Sequence, residues 1–348
     1  MRISRQEIER VRKFLGTAAC LALLSVGPVV AAQQESNAQK PAATIDMEVL
    51  HQQVILDHLG FSPGVLDGRP GQSLTAALKG FQASRGLKVT GTADPATLAA
   101  LQPHRGLRPV RHLRLTEDSL SGPFVHPLPK DAVDQGKLQS IGYRGPMEKL
   151  AEMFHTTPAV LRELNDPKAV LRPGTILVFP NALPTSRAYA ADLKPDWRKT
   201  LNDLNISADQ PEAARIVVDR SDKVLKVYDK DDRLVAQFSA TMGSKHDPLP
   251  IGRWKIQGAD YNPKFHYNPE LFWDVSNDEE KVLLPAGPNG PVGVVWLDLN
   301  KPHYGIHGTP EPHTIGRAES HGCIRLTNWD AARLAMMVKP GTPAVFQE

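Results

Sequence analysis

Two short segments carry side chains that could do chemistry together. One is Tyr304-Gly305-Ile306-His307-Gly308-Thr309; the other is Ser320-His321-Gly322-Cys323-Ile324-Arg325-Leu326. A thiol beside an imidazole is a nucleophile with its base: the imidazole takes the thiol proton, and the thiolate attacks an electrophilic carbon. Such a pair needs a third group that fixes the imidazole tautomer. It also needs N–H donors aimed at the oxygen that gains charge. Gly322 lets backbone approach a substrate closely, and the amides around Gly322 and Cys323 are candidate donors. Either His307 or His321 can serve as the base, and spacing alone does not choose. His307, His321 and Cys323 would also suit a zinc ion, since His-x-Cys can supply two ligands. His246, His266, His303 and His313 are read as structural.

The elements that must hold these residues are strands. Arg215 to Asp219, Lys223 to Tyr228 and Arg233 to Ala240 alternate, are rich in Val, and are joined by Arg-Ser-Asp and Lys-Asp-Asp turns, the pattern of a hairpin meander. Further strands are expected at 253–257, 292–297 and 304–307. Asn328 to Val338 reads as a helix capped by Asn328 and ended by Pro340-Gly341.

The 348 residues suggest two or three domains; 41% are hydrophobic and 23% charged, as in globular proteins. Residues 1–32 read as a signal peptide: Arg2, Arg5, Arg10, Arg12 and Lys13 precede an apolar run from Phe14 to Val30, then Ala31-Ala32. Its removal leaves a nearly neutral chain with no basic stripe, which argues against a nucleic-acid partner, and with no further membrane span. It also removes Cys20, so Cys323 is the one cysteine left. In an oxidising compartment a lone thiol has no intrachain partner, which points to a chemical role.

Residues 33–45 are a polar tether. Over 46–102, helical spacing (Val49, Val54, Ile55, Leu59; then Leu74, Ala77, Leu78, Phe81) and an Asp94-Pro95 helix start predict three short helices. Over 103–181, Arg111 to Leu115 alternates, Met147 to Phe154 is amphipathic, Pro158 to Leu164 starts another helix, and Leu171 to Asn181 turns into a strand. Residues 182–211 read as a linker, with a possible helix near Trp197 to Leu204. The span 212–348 is expected to fold and react without the rest, from a start near Gln210. The fold class is therefore multidomain α+β, with a mostly β C-terminal domain.

Three resemblances add to this reading. Gly60-Phe61-Ser62-Pro63-Gly64-Val65-Leu66-Asp67-Gly68, followed by Phe81-Gln82 and Gly86-Leu87-Lys88-Val89-Thr90-Gly91, resembles the three-helix peptidoglycan-binding domain. The two helices, Asn165, Pro173-Gly174 and the strand before Asn181 resemble the second half of a LysM domain, whose opening strand and turn are not recognisable. The two reactive segments resemble the L,D-transpeptidase (YkuD) catalytic domain, as do Pro248-Leu249-Pro250-Ile251-Gly252 and Gly287-Pro288-Asn289-Gly290-Pro291-Val292-Gly293, with Ile251 where Thr or Ser is commoner. That likeness implies Cys323 as nucleophile, His307 as base, the Gly308 carbonyl as its orienting group, and Ser320, His321, Gly322 and Arg325 lining the site, with no metal and no cofactor. It implies an exported enzyme of the periplasm or cell wall, acting on peptidoglycan stem peptides and glycan. The acceptor is a second stem, giving 3→3 cross-links, or a lipoprotein, a D-amino acid or water. Water would make the enzyme a carboxypeptidase. A wall-binding protein without catalysis is the other class of reading.

Overall fold

The computed structural model describes residues 44–271, 275–276, 278–320 and 322–348. The signal-peptide reading of 1–32, nearly all of the tether, and His321 lie outside the described residues.

The first helices are α1 (Met47–His58), α2 (Gln72–Ser84) and α3 (Pro95–Leu101). Asp94 caps α3 by accepting from the Thr97 amide, with Pro95 at the first turn, as its sequence predicted. Their core is Ile55, Leu56, Phe61, Leu74, Ala77, Leu78, Phe81 and Leu101. Next come β1 (Val110–Arg114), α4 (Ala132–Gly136), α5 (Pro146–Met153), α6 (Pro158–Leu164) and β2 (Ile176–Pro180). β1 and β2 pair antiparallel, with β1 overlapping the alternating stretch 111–115. Stacked Phe154 and Phe179 anchor this unit's core with Leu115, Leu150, Leu161 and Leu177.

The segment read as a linker is not one. It contains α7 (Pro195–Asp203), and Tyr189, Trp197, Leu201, Leu204 and Ile206 enter the largest apolar core. Trp197, 1% exposed, stacks on Tyr261. The helical spacing of Trp197, Leu201 and Leu204 buries one face of α7 against the domain that follows.

That domain contains β3 (Arg215–Asp219), β4 (Val224–Tyr228), β5 (Leu234–Ser239), β6 (Thr241–Met242), β7 (Gly252–Tyr261), β8 (Phe265–Tyr267), β9 (Val282–Leu284), β10 (Val295–Leu299), β11 (Gly305–His307), β12 (Ile324–Arg325), α8 (Asn328–Met337) and β13 (Pro343–Gln347). One nine-stranded sheet runs β5-β4-β3-β13-β7-β10-β11-β12-β6. The meander β3-β4-β5 matches its expected hairpins, and β7 runs four residues further than its alternation suggested. Helix α8 packs buried Trp329, Ala331, Ala332, Leu334 and Met337 into the same core. Its cap is Thr327, which accepts from the Asp330 amide at 3.1 Å. Asn328, expected as the cap, is the first helical residue and points inward.

The three regions share buried polar seams. Gln237 of β5 pairs with the loop after α1, through Ser62 N to its carbonyl and its own N–H to Gly60 O, both 2.9 Å. Its side chain donates to Ala76 O of α2 at 2.6 Å. Deeper, Asp57 of α1 accepts from Arg333 of α8 at 2.9 Å and faces His155 Nδ1 at 3.0 Å. His155 Nε2 faces Leu204 O at 2.9 Å, and its ring stacks on Trp329. Burial alone would raise the Asp57 pKa, but the charges of His155 and Arg333 hold it well below the usual carboxylate range. Side chains of all three regions thus complete one another's hydrogen bonds.

Candidate active site

β11 and β12 are only three and two residues long, and they lie side by side in parallel, with Ile306 opposite Ile324 and His307 opposite Arg325. Cys323 directly precedes β12, level with Gly305, whose backbone hydrogen-bonds the thiol. Strand pairing thus brings together two segments separated by a dozen residues, between β10 on one side and the two-residue β6 on the other.

His307 is buried. Its Nδ1 lies 2.7 Å from the Gly308 carbonyl, an acceptor, so Nδ1 carries the proton and Nε2 keeps its lone pair. Trp296 of β10 stacks on the ring. Burial, helped by the positive charge of Arg325, lowers the His307 pKa to about 4, against the opposing pull of the Gly308 bond. The imidazole is therefore neutral at neutral pH. The half-buried Cys323 thiol is pushed up by burial, with the Gly305 bond and Arg325 working the other way and Asp247 adding to the rise. Its Sγ is 3.8 Å from His303 O. A neutral imidazole and a thiol whose ionisation burial opposes therefore sit on neighbouring segments of the sheet.

The Cys323 turn is clasped from behind. Ser320 Oγ donates to Cys323 O at 2.7 Å and accepts from Gly243 N at 2.6 Å. The residue is 2% exposed, so this hydroxyl, expected to line the site, holds the turn against the end of β6 instead. Gly322 has φ +93°, and an added Cβ would sit 2.8 Å from the Tyr304 ring, so this position needs glycine. Arg325 is half-buried on β12, next to His307 in register.

Sequence reasoning missed four contributors. Trp296 stacks on the His307 ring. Tyr304 covers Gly322. Asp247 brings a negative charge near the thiol. Asn328 lies behind Gly308: its Oδ1 accepts from Val294 N at 3.2 Å and fills the space a side chain at Gly293 or Gly308 would need. A glycine at both 293 and 308 was a visible signal of close approach, though not of what approaches. Among the described residues no cluster of three or more His, Cys, Asp or Glu is placed to hold a metal ion.

A mostly β domain with a thiol and a tautomer-locked imidazole on neighbouring strands is the class that fold and site define. Residues 213–346 match the L,D-transpeptidase catalytic domain, and residues 47–101 match a putative peptidoglycan binding domain. The C-terminal region is thus an L,D-transpeptidase (YkuD) type of catalytic domain, and the N-terminal helices are a peptidoglycan-binding type of domain. A putative L,D-transpeptidase YkuD of Bacillus licheniformis is 35% identical over 128 residues, 37% of this chain and 62% of that protein. The probable L,D-transpeptidase YbiS of Escherichia coli K12 is 27% identical over 241 residues, 66% of this chain and 70% of that protein. A solved L,D-transpeptidase from Mycobacterium smegmatis is 22% identical with a TM-score of 0.31, over 38% of this chain and 58% of that one. The chain spans 62% of the B. licheniformis protein and 34% of a putative L,D-transpeptidase YkuD of Bacillus subtilis, less than two thirds of either.

Proposed function

We propose that this protein is an exported L,D-transpeptidase that acts on peptidoglycan stem peptides through a Cys323 thioester. The observation that carries the reading is the His307 Nδ1 bond to Gly308 O, 2.7 Å long, beside the Cys323 turn. It leaves Nε2 as the base, and a backbone carbonyl does the orienting work that a carboxylate does in other triads. As the thiol attacks the carbonyl of the third stem residue, its proton passes to His307. The S–C bond forms, the C–N bond to the terminal D-Ala breaks, and His307 returns the proton to the departing amine. An acceptor amine then attacks the thioester, its proton goes back to the sulfur through His307, and the new amide is released. Amides near Gly322 and Cys323 stabilise the oxyanion, and Arg325 favours the thiolate as it develops. A second stem as acceptor gives a 3→3 cross-link.

The helical domain over 46–102 and the LysM-like unit over 103–181 are read as wall-binding modules that raise the local concentration of substrate. Periplasm or cell wall is the matching location. The test has two parts. A carbapenem should add one covalent mass to Cys323 and none to Cys323→Ala. Muropeptides from cells expressing the wild type should gain 3→3 dimers that the Cys323→Ala cells lack. An adduct retained in Cys323→Ala would sink the assignment; tripeptides without dimers would instead make water the acceptor.

A further inference from the structure

We infer that Glu152, in the LysM-like unit and outside the matched catalytic region, is a positioning residue for the base His307, acting through Asn328. This rests on the proposed transpeptidase reading.

Glu152 lies on α5, 6% exposed. Its Oε1 accepts from Asn328 Nδ2 at 2.8 Å, and its Oε2 accepts from the Tyr143 hydroxyl at 2.7 Å. Asn328 is fully buried at the start of α8. Its Nδ2 has one other acceptor, Pro288 O at 3.0 Å, and its Oδ1 takes the Val294 N–H. All three partners agree on the amide orientation, so a flipped amide would lose every one of them. That orientation seats Oδ1 against the Gly308 backbone, where even a methyl group would not fit. Gly308 O in turn holds His307 Nδ1. Tyr143, Glu152, Asn328, Gly308 and His307 thus form a continuous line from a separate unit to the base, with no covalent path shorter than 155 residues between Glu152 and His307.

Without the Glu152 carboxylate, Asn328 Nδ2 keeps a single acceptor in a dry interior, and its amide loses one of the three partners that set its position. The Gly308 peptide then loses the surface that sets it, and the imidazole lone pair loses its aim. Burial raises the Glu152 pKa to about 7, yet either protonation state presents an oxygen to Asn328. The role is one of reach and acceptor geometry rather than charge. Gln can fill it, with Oε1 on Asn328 and Nε2 facing the Tyr143 oxygen. Asp keeps the charge but stops one methylene short.

The experiment uses the mature full-length chain and follows carbapenem addition at Cys323 by mass spectrometry over a range of carbapenem concentrations. Displacements near 1 Å at a catalytic group cost up to about a hundredfold in rate. Glu152→Asp and Glu152→Ala should therefore lower the maximal acylation rate roughly ten- to a hundredfold, with the half-saturating concentration unchanged. Glu152→Gln should stay within about threefold of wild type. Leu161→Ala, which loosens the same unit without touching Asn328, should acylate normally below its melting temperature. Alkylation of Cys323 by iodoacetamide, run beside it, reports the His307-assisted thiol even if no acyl group is accepted, and should follow the same order. The inference is overturned if Glu152→Asp reacts at the wild-type rate, if Glu152→Gln is as slow as Glu152→Ala, or if Leu161→Ala is slowed equally. A wild type that alkylates at Cys323 in the stated variant order but accepts no carbapenem supports the positioning line while refuting the acyl-enzyme reading.

Discussion

Removing everything before Gln210 should unfold the catalytic region, although its strands and reactive residues all remain. The cut discards Tyr189, Trp197, Leu201, Leu204 and Ile206, all of them in the main core. Full burial of a large apolar side chain contributes roughly 1.5–3 kcal/mol. Five such losses approach roughly 7–15 kcal/mol, which rivals the ~5–15 kcal/mol net stability of a whole domain. The same cut takes Asp57 from Arg333 and Glu152 from Asn328, exposing a polar face of α8 that evolved to be covered. Three chains can be compared by thermal melts in circular dichroism and by acylation with a soluble carbapenem: starts at residues 44, 182 and 210. The first should melt cooperatively and react. The second regains the apolar core but lacks Glu152, so it should melt lower and react slowly. The third should show no cooperative melt and no adduct. If the chain from 210 melts within a few degrees of the longest one and reacts as fast, the core assignment of α7 and the seams is wrong.

Acylation should be nearly flat from pH 5.5 to 8, because His307 titrates near 4; an imidazole at its ordinary 6.5 would lose about tenfold by pH 5.5. A rate that rises sigmoidally with a midpoint near 6.5 would refute the buried-base geometry. The same shift lowers acid stability: the unfolded chain takes up the proton first, so as pH falls from 6.5 to 4 the fold loses up to about 3 kcal/mol from this group, readable in urea titrations. Asp57→Ala leaves buried Arg333 with only Asp330, 3.8 Å away, as a carboxylate partner, and should cost about 3–5 kcal/mol by chemical denaturation; a loss under about 1 kcal/mol would mean the seam is wet. Gly322→Ala should cost about 1–3 kcal/mol of backbone strain and push against Tyr304, so its thiol should label far more slowly than wild type with iodoacetamide.

Local chemistry was legible in the sequence and long-range polar chemistry was not. The β3-β4-β5 meander announced itself by alternation and by charged turns, and α3 by Asp94-Pro95, because both signals act within a few residues. β11 falls in the strand expected at 304–307, whereas β12 is too short for any period and only the motif around Cys323 drew attention to it. Residues 182–211 were obscured by Pro and Ser flanks, although Trp197, Leu201 and Leu204 keep helical spacing. Thr327 won the cap over Asn328 because the asparagine amide is needed inside, by partners some 176 residues away in Glu152 and 34 in Val294. Nothing near Asp57 in sequence hints at Arg333, and nothing near Glu152 hints at His307. Such pairs leave no local period and no cap, so they become visible only once the chain is folded.

β13 follows every other strand in chain order yet lies fourth in the nine-stranded sheet, parallel to β3 on one side and antiparallel to β7 on the other. Until residue 347 has been synthesised, β3-β4-β5 and the strands from β7 to β6 are two ribbons with facing, unsatisfied edges. The sheet therefore closes only when β13 enters between the two ribbons. For the exported enzyme proposed above, that order makes the sheet that would resist threading the last part to become foldable. The same order makes an interrupted chain hazardous, since a ribbon with an open edge invites a strand from another copy.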